Sequence, residues 1–354
     1  MYKNERTYQM KKQKNLLRLF SIFFILILFC LPVYAVSQTN SDFKNIELYP
    51  GGMAFGAKII SNGLTVVKFT ETQGKDASSA YSAGVREGDI ITKINNNSIN
   101  SIEDFVKAVD KNGGNKMKMT VLRNSCEMDF YVTPKYSEND GKYKTGIWVK
   151  DSTSGIGTIT YINPKTNGFG GLGHAICDSS TGKLIPLSHG TVMDVSINGV
   201  IKGQVGTAGE LKGTFQQRKI GTLTKNSPCG VFGLLSFGTF QCPEGLMKIC
   251  PKEELKEGEA YIWSTLDSGN PQKYKIQISS IDTTNSNTKN FKIRVTDDEL
   301  LQKSGGIVQG MSGSPIIQNG RIVGAVTHVL INDPTQGYGI FIENMLNEMP
   351  SILI

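Results

Sequence analysis

Beyond residue 45 this chain has almost no long stretch with an apolar residue every three or four positions. Instead, short runs of Val, Ile, Thr and Phe are cut by glycine, asparagine, aspartate and serine. β-Branched and aromatic side chains suit a pleated, half-buried surface, and glycine-rich breaks suit the turns between short strands. A mainly β protein is therefore expected. With 354 residues, and single cores seldom growing beyond roughly 250 residues, two globular domains plus a tail are the starting expectation.

The formal net charge of +7 is unevenly spread. Lys3, Arg6, Lys11, Lys12, Lys14 and Arg18, against Glu5 alone, hold most of it, and the chain after residue 18 is nearly neutral. No clustered basic stripe follows, so a nucleic-acid partner is not expected. Residues 19–36 are apolar and uncharged, and a basic flank before such a stretch marks an export signal that delivers the remainder outside the cytoplasm. Val33-Tyr34-Ala35 offers small residues for a signal peptidase, while about 18 apolar residues also suffice for a membrane anchor. Removal of residues 1–36 as a signal peptide and their retention as an anchor both stay open. Residues 37–45 are polar and read as a linker.

Five cysteines follow: Cys126, Cys177, Cys229, Cys242 and Cys250. No C-x-x-C pair and no nearby histidine accompanies them, so no metal site is expected. A bridge among Cys229, Cys242 and Cys250 is compatible with an oxidising compartment, but free thiols are the simpler expectation.

The first compact unit is expected over residues 46–134. In Ala83-Gly84-Val85-Arg86-Glu87-Gly88-Asp89-Ile90-Ile91 a short helix ends at glycine, turns, and enters an apolar strand. Ser101 with Asp104 at the third position reads as a helix cap, with Phe105, Val106 and Val109 on the buried side. This stretch resembles a PDZ domain. The resemblance implies a peptide groove bounded by the helix carrying Val106, and a carboxylate-receiving loop at Gly51, Gly52, Phe55 and Gly56. Such a groove works by strand addition.

Residues 135–145 are charged and turn-rich and are expected to be a linker. In the remaining 146–354, strand candidates at residues 155–162, 192–197, 219–223 and 274–281 suggest antiparallel barrels, and residues 345–354 suggest a short packing helix.

The sharpest chemical signal is Gly310-Met311-Ser312-Gly313-Ser314-Pro315. Glycine lets the backbone take conformations that aim two amides, those of Gly310 and Ser312, at one oxygen. Such an oxyanion hole stabilises the charge that acyl transfer builds, at about 3 kcal/mol per donor. Ser312 is the candidate nucleophile. A hydroxyl needs a base, and the chain holds three histidines, His174, His189 and His328. His174, in Gly170-Gly171-Leu172-Gly173-His174-Ala175, is the candidate base and His189 its competitor. Carboxylates are too many for the residues alone to rank the third member.

The segment from Asn319-Gly320-Arg321 to Thr327-His328 is similar to the hairpin after the nucleophile in chymotrypsin-like peptidases. This implies a double β-barrel, with Thr327 supporting the catalytic acid and the backbone around His328 pairing with substrate. Met311 stands where many relatives carry an acid, so activation by an ion pair with a freed N-terminus is not expected. From Val295-Thr296-Asp297 through Ser312 to Asn332-Asp333-Pro334 and Gly337-Tyr338-Gly339, the chain resembles the stage IV sporulation protein B family. That resemblance implies Asp297 as the third triad member. It also implies export from the forespore to the intermembrane space, self-cleavage, and cleavage of a membrane regulatory complex of an intramembrane protease, which triggers a mother-cell sigma factor. No cofactor is expected. The rival readings are a catalytically silent PDZ adaptor that holds membrane partners, and a quality-control protease of the HtrA kind, which carries its PDZ domains after the peptidase.

Overall fold

The computed structural model describes residues 43–71, 77–124, 126–179, 182–238, 240, 244–284 and 288–353. The export segment, Cys242 and most of the first linker lie outside the described residues. Among the described residues no helix is long and apolar enough to cross a membrane.

Two strands organise the first half. β1 (Ala54–Phe69) and, after the helix α1 (Ile102–Asn112), β2 (Ile147–Ile162) are each 16 residues long. They pair antiparallel from Ala54↔Thr158 to Ile60↔Ser152. After an irregularity in β1 they pair again from Thr65↔Lys150 to Phe69↔Ile147. The near part of this ribbon belongs to a barrel. β2 pairs with β3 (Gly168–Gly171), and β1 with β4 (His189–Ile201); β5 (Glu210–Ser227) and β6 (Gly230–Leu235) complete the circuit β2-β3-β6-β5-β4-β1. Phe55, Ile59, Ile159, Phe169, Val192 and Val231 fill its interior, with Phe55 and Phe169 edge to face at 5.8 Å.

The far part of the ribbon belongs to the PDZ unit. There β1 pairs with Ile90–Ile94, which pairs with Met117–Arg123, which pairs with Cys126–Val132. Leu64, Val66, Ile91, Phe105, Val109, Met119 and Val121 form a separate core. α1 starts as its sequence predicts: Ser101 Oγ accepts from the Asp104 amide at 3.1 Å, and an Asp104 oxygen accepts from the Asn100 amide. The PDZ unit is thus inserted between two neighbouring strands of the first barrel rather than placed before it. This corrects the expected 46–134 boundary. Residues 54–60 are barrel strand, residues 147–150 complete the PDZ sheet, and the expected linker contains a hairpin, Lys135–Ser137 with Lys142–Lys144.

The second barrel is closed by β7 (Gly258–Ser264), β8 (Gln272–Ser279), β9 (Phe291–Val295), β10 (Pro315–Gln318), β11 (Arg321–Leu330) and β12 (Asp333–Phe341), in the order β7-β8-β9-β12-β11-β10 and back to β7. α2 (Asp298–Ser304) leads towards the serine turn, and α3 (Ile342–Glu348) with Met349 and Leu353 packs into a further core beside Tyr161 and Phe232. Three of the four strand candidates read from the sequence fall within strands and the fourth, 274–281, runs past the end of β8 at Ser279, and the fold is the expected mainly β arrangement of a PDZ domain with a double-barrel peptidase domain. Cys229 and Cys250 are both buried.

In the PDZ unit, Asp89 is buried and takes Arg123 at 2.6 and 2.7 Å as well as the Arg86 amide. Removing one partner of a buried pair strands the other charge. Arg123→Ala is therefore expected to destabilise the PDZ unit by about 3 kcal/mol in chemical denaturation.

Candidate active site

The serine turn lies between α2 and β10, and its shape is set by contact with the first barrel. Gly310 and Gly313 have φ of +97° and +94°, a region open to glycine and costly to other residues. A Cβ on Gly313 would lie 2.0 Å from the Thr158 carbonyl oxygen, so the turn sits flush against β2. β2 holds it there: Thr158 Oγ1 donates to the Gly310 carbonyl at 2.8 Å, Thr160 Oγ1 to the Gly313 carbonyl at 2.8 Å, and the Thr158 amide to the Ser312 carbonyl at 2.9 Å. With the carbonyls of the turn held on this side, its amides are left for other use. Met311 N bonds Val308, Gly313 N bonds Val326 and Ser314 N bonds Met311, whereas the amides of Gly310 and Ser312 donate to no described residue. Those are the two donors expected of an oxyanion hole.

His174 follows β3. Leu172 and Gly173, at φ +66° and +68°, turn the chain sharply, and Gly173 lies so close to the second barrel that a Cβ would meet Thr327 Cγ2 at 2.9 Å. The imidazole Nδ1 lies 2.8 Å from the Ala175 carbonyl oxygen. A carbonyl only accepts, so Nδ1 carries the proton and Nε2 keeps its lone pair, the state a general base requires. Burial pushes the His174 pKa below its ordinary 6.5, against the opposing pull of the Ala175 carbonyl. Beyond it, Asn226 holds the next turn, accepting from the Ile176 amide and donating to the Ile176 and Ile185 carbonyls, each at 2.9 Å.

Ser312, Gly310 and His174 line one cavity of about 370 Å³ between the barrels, together with Gln309, Cys177 and residues 153–156 of β2. Ser312 Oγ donates at 2.8 Å to the Thr327 carbonyl, so reaction requires the hydroxyl to turn towards the base. The ring of His328 stands 5.3 Å from that of His174, tilted by 42°. Burial, with the neighbouring His174 and Lys289, pushes its pKa down to about 4. It is neutral at physiological pH. His189, at the start of β4, pairs with Ile60 and does not line the cavity. Met311 is buried in the second-barrel core.

Three expectations are not met by this geometry. Asp297 caps α2: its carboxylate accepts from the Leu300 amide at 3.0 Å and the Lys275 amide at 3.1 Å, and it bonds neither histidine. The hydroxyl of Thr327 correspondingly donates to the Thr288 and Tyr338 carbonyls rather than to an acid. Gly51, Gly52, Phe55 and Gly56 are not a peptide-receiving loop. The first two donate to Thr160 and Ile159 of β2, Phe55 is barrel core, and Gly56 pairs with Ile156 and Met193. Of the PDZ candidates only Val106 borders the groove beside α1. Conversely, Thr158, Thr160 and Asn226 belong to no chemical motif of the sequence; the Thr-x-Thr alternation, which puts both hydroxyls on one strand face, is the one local signal. Among the described residues no cluster of metal-ligating side chains occurs.

Comparison with known proteins matches residues 141–346 to the SpoIVB peptidase S55 family and residues 72–123 to a PDZ domain family. Solved structures similar to this chain include the PDZ domain of the SdrC-like protein from Listeria monocytogenes, with 21% identity, a TM-score of 0.22, and coverage of 25% of this chain and 90% of that one. They also include the active form of the Rv3671c protease from M. tuberculosis, with 14% identity, a TM-score of 0.34, and coverage of 55% and 72%.

Thr158→Val keeps the shape and removes the bond to the Gly310 carbonyl. It is expected to lower kcat on a short ester by about tenfold, the equivalent of roughly 1.4 kcal/mol, with little change in KM. Because the base must be neutral, and burial disfavours the imidazolium, the acid limb of kcat/KM should lie below pH 6.5, with activity rising as pH increases through it. Stopped-flow ester hydrolysis across pH checks both.

Proposed function

We propose, from the premise that the chain belongs to the SpoIVB peptidase S55 family and is a serine endopeptidase, that it acts in endospore formation as an exported signalling peptidase. In this reading it leaves the forespore through residues 1–36 and works in the intermembrane space, free or anchored. There it cleaves itself and the extracytoplasmic part of a membrane complex regulating an intramembrane protease, and so triggers a mother-cell sigma factor. The basic flank and uncharged apolar run of residues 19–36 support export, and the family membership supports the signalling role.

The observation that carries the catalytic part is the cavity shared by Ser312, His174 and Gly310, with the amides at 310 and 312 free of other partners among the described residues. His174 Nε2 takes the proton as Ser312 Oγ attacks the scissile carbonyl, and the two amides receive the oxyanion. The imidazolium then protonates the leaving amine, and water repeats the cycle on the acyl-enzyme. The Ala175 carbonyl orients the ring throughout, the part a carboxylate plays in a triad. A silent PDZ adaptor has no physical need for this arrangement, so the adaptor reading is the weaker one.

Full-length wild type and Ser312→Ala, incubated in parallel and followed by intact-mass spectrometry, test the proposal. Fragments are expected from the wild type alone. Equal fragmentation of both, or none from either, would count for the adaptor.

A further inference from the structure

β2 carries more than the clamp on the serine turn. One of its edges is paired with β1 along nearly its whole length. The other edge pairs with β3 only at Ile159, Tyr161 and Ile162, and between residues 147 and 157 it makes no backbone hydrogen bond to any described residue. None of residues 146–156 is buried. This open edge passes two concave surfaces. Residues 153–156 form the wall of the catalytic cavity. Residues 147–149 form the wall of a second cavity of about 340 Å³, faced by Ile102, Phe105, Val106 and Val109 of α1. Ile102, Val106 and Trp148 are 40%, 42% and 61% exposed there, an apolar rim with no cover among the described residues.

We infer that one extended polypeptide pairs antiparallel with this edge, its free C-terminus in the α1 groove and its scissile bond at Ser312, so that cleavage falls a fixed distance from the substrate's end. The inference rests on the peptidase reading and adds a substrate class to it: chains ending in an apolar residue with a free carboxylate.

The polarity of both ends agrees. At Ser312, the part of the substrate that departs with the amine must lie on the side of His174, which protonates it. Cys177 and the edge of β2 line the same cavity as His174. A strand leaving the cleft antiparallel to β2 therefore runs, N to C, from the level of Ile156 down to that of Ile147. Its carboxylate then arrives where β2 begins. There Gly146 has φ +75°, the amides of Thr145 and Gly146 donate to no described residue, and Lys142 supplies positive charge at the groove, where Lys144 is paired with Asp140. Successive amides around a left-handed residue make an anion-binding concavity. An opposite polarity would bring an ammonium to Lys142. The span from Gly146 to Ile156 is roughly 33 Å at about 3.3 Å per residue, so the released C-terminal fragment should hold about ten residues. Main-chain bonds along the edge provide affinity whatever the sequence between, and the pocket at α1 provides selection at the end.

The test uses full-length protein and a pool of unstructured 30-residue peptides with randomised interiors, each ending in valine, made once with a free C-terminal carboxylate and once as the amide. C-terminal products are sized by mass spectrometry, and p-nitrophenyl acetate hydrolysis by the wild type is measured in parallel. The free-acid pool should give C-terminal products clustered near ten residues. Amidation should scatter the lengths and lower kcat/KM about tenfold, the equivalent of roughly 1.4 kcal/mol. Val106→Lys should scatter them as well, while Val106→Ile should restore the cluster. Scattered lengths from the free-acid pool, or a cluster indifferent to amidation, with ester hydrolysis intact, would overturn the shared-strand proposal alone. Absence of ester hydrolysis in the wild type would overturn the peptidase reading and this proposal with it.

Discussion

Two threonine hydroxyls on one strand of the first barrel hold the chemistry of the second. Thr158 and Thr160 donate to the carbonyls of Gly310 and Gly313, on either side of the nucleophile, and so decide which way the peptide groups of that turn face. If the Gly310 carbonyl were released, the neighbouring peptide planes could rotate and the amides aimed at the developing oxyanion would lose their preorganisation, the property on which electrostatic stabilisation depends. The same contact explains the glycines. Gly313 has no room for a side chain because β2 passes directly beneath it. Histidine and serine come from different barrels, so the site exists only where the barrels touch. Buried contacts such as Gly173 against Thr327 are part of the catalytic apparatus although they meet no substrate.

Locally encoded features could be read from the chain. The glycine-bounded serine, the histidine after Gly171-Leu172-Gly173, and the helix cap at Ser101 with Asp104 are short-range patterns, and each lies where such patterns point. Strand partners are a different matter. Residues 54–60 alternate like any half-buried strand, and nothing in them says whether they pair with the PDZ sheet or with residues 152–158 of β2 and the start of β4 at residue 189. Proximity in sequence to the PDZ signature favoured the wrong partner, and with it went Gly51, Gly52, Phe55 and Gly56 as groove residues. Asp297 failed for a related reason. An aspartate before a short helix meets the demands of an N-cap as well as it meets those of a triad, and its oxygens are engaged by the Leu300 amide at the helix start and the Lys275 amide of β8. Thr158, Thr160 and Asn226 act on groups distant in sequence, which no local motif records.

The candidate base, His174, differs from a carboxylate-supported one in how its charged state is handled. A backbone carbonyl fixes the tautomer of His174 as well as a carboxylate does, but it brings no full negative charge to meet the imidazolium. Burial also disfavours that charge. The cost of protonating the imidazole then falls on the reaction itself. Met311, buried in the core where an acid could have formed an activating ion pair, removes another means of switching the site.

The placement of the PDZ unit also bears on how the chain assembles. The first barrel cannot close until β1 meets β2 and β4, about a hundred residues or more further along, and joining ends so far apart costs chain entropy that rises with the length of the loop. The PDZ unit has its own core, and that core contains the far ends of both β1 and β2. Once it condenses, the two strands are already aligned at their tips. The remaining pairs from Ile60↔Ser152 to Ala54↔Thr158 can then form like the teeth of a zipper, each bringing the next into reach. The inserted domain thereby serves as a folding clasp for the enzyme that surrounds it, whatever peptide it later receives.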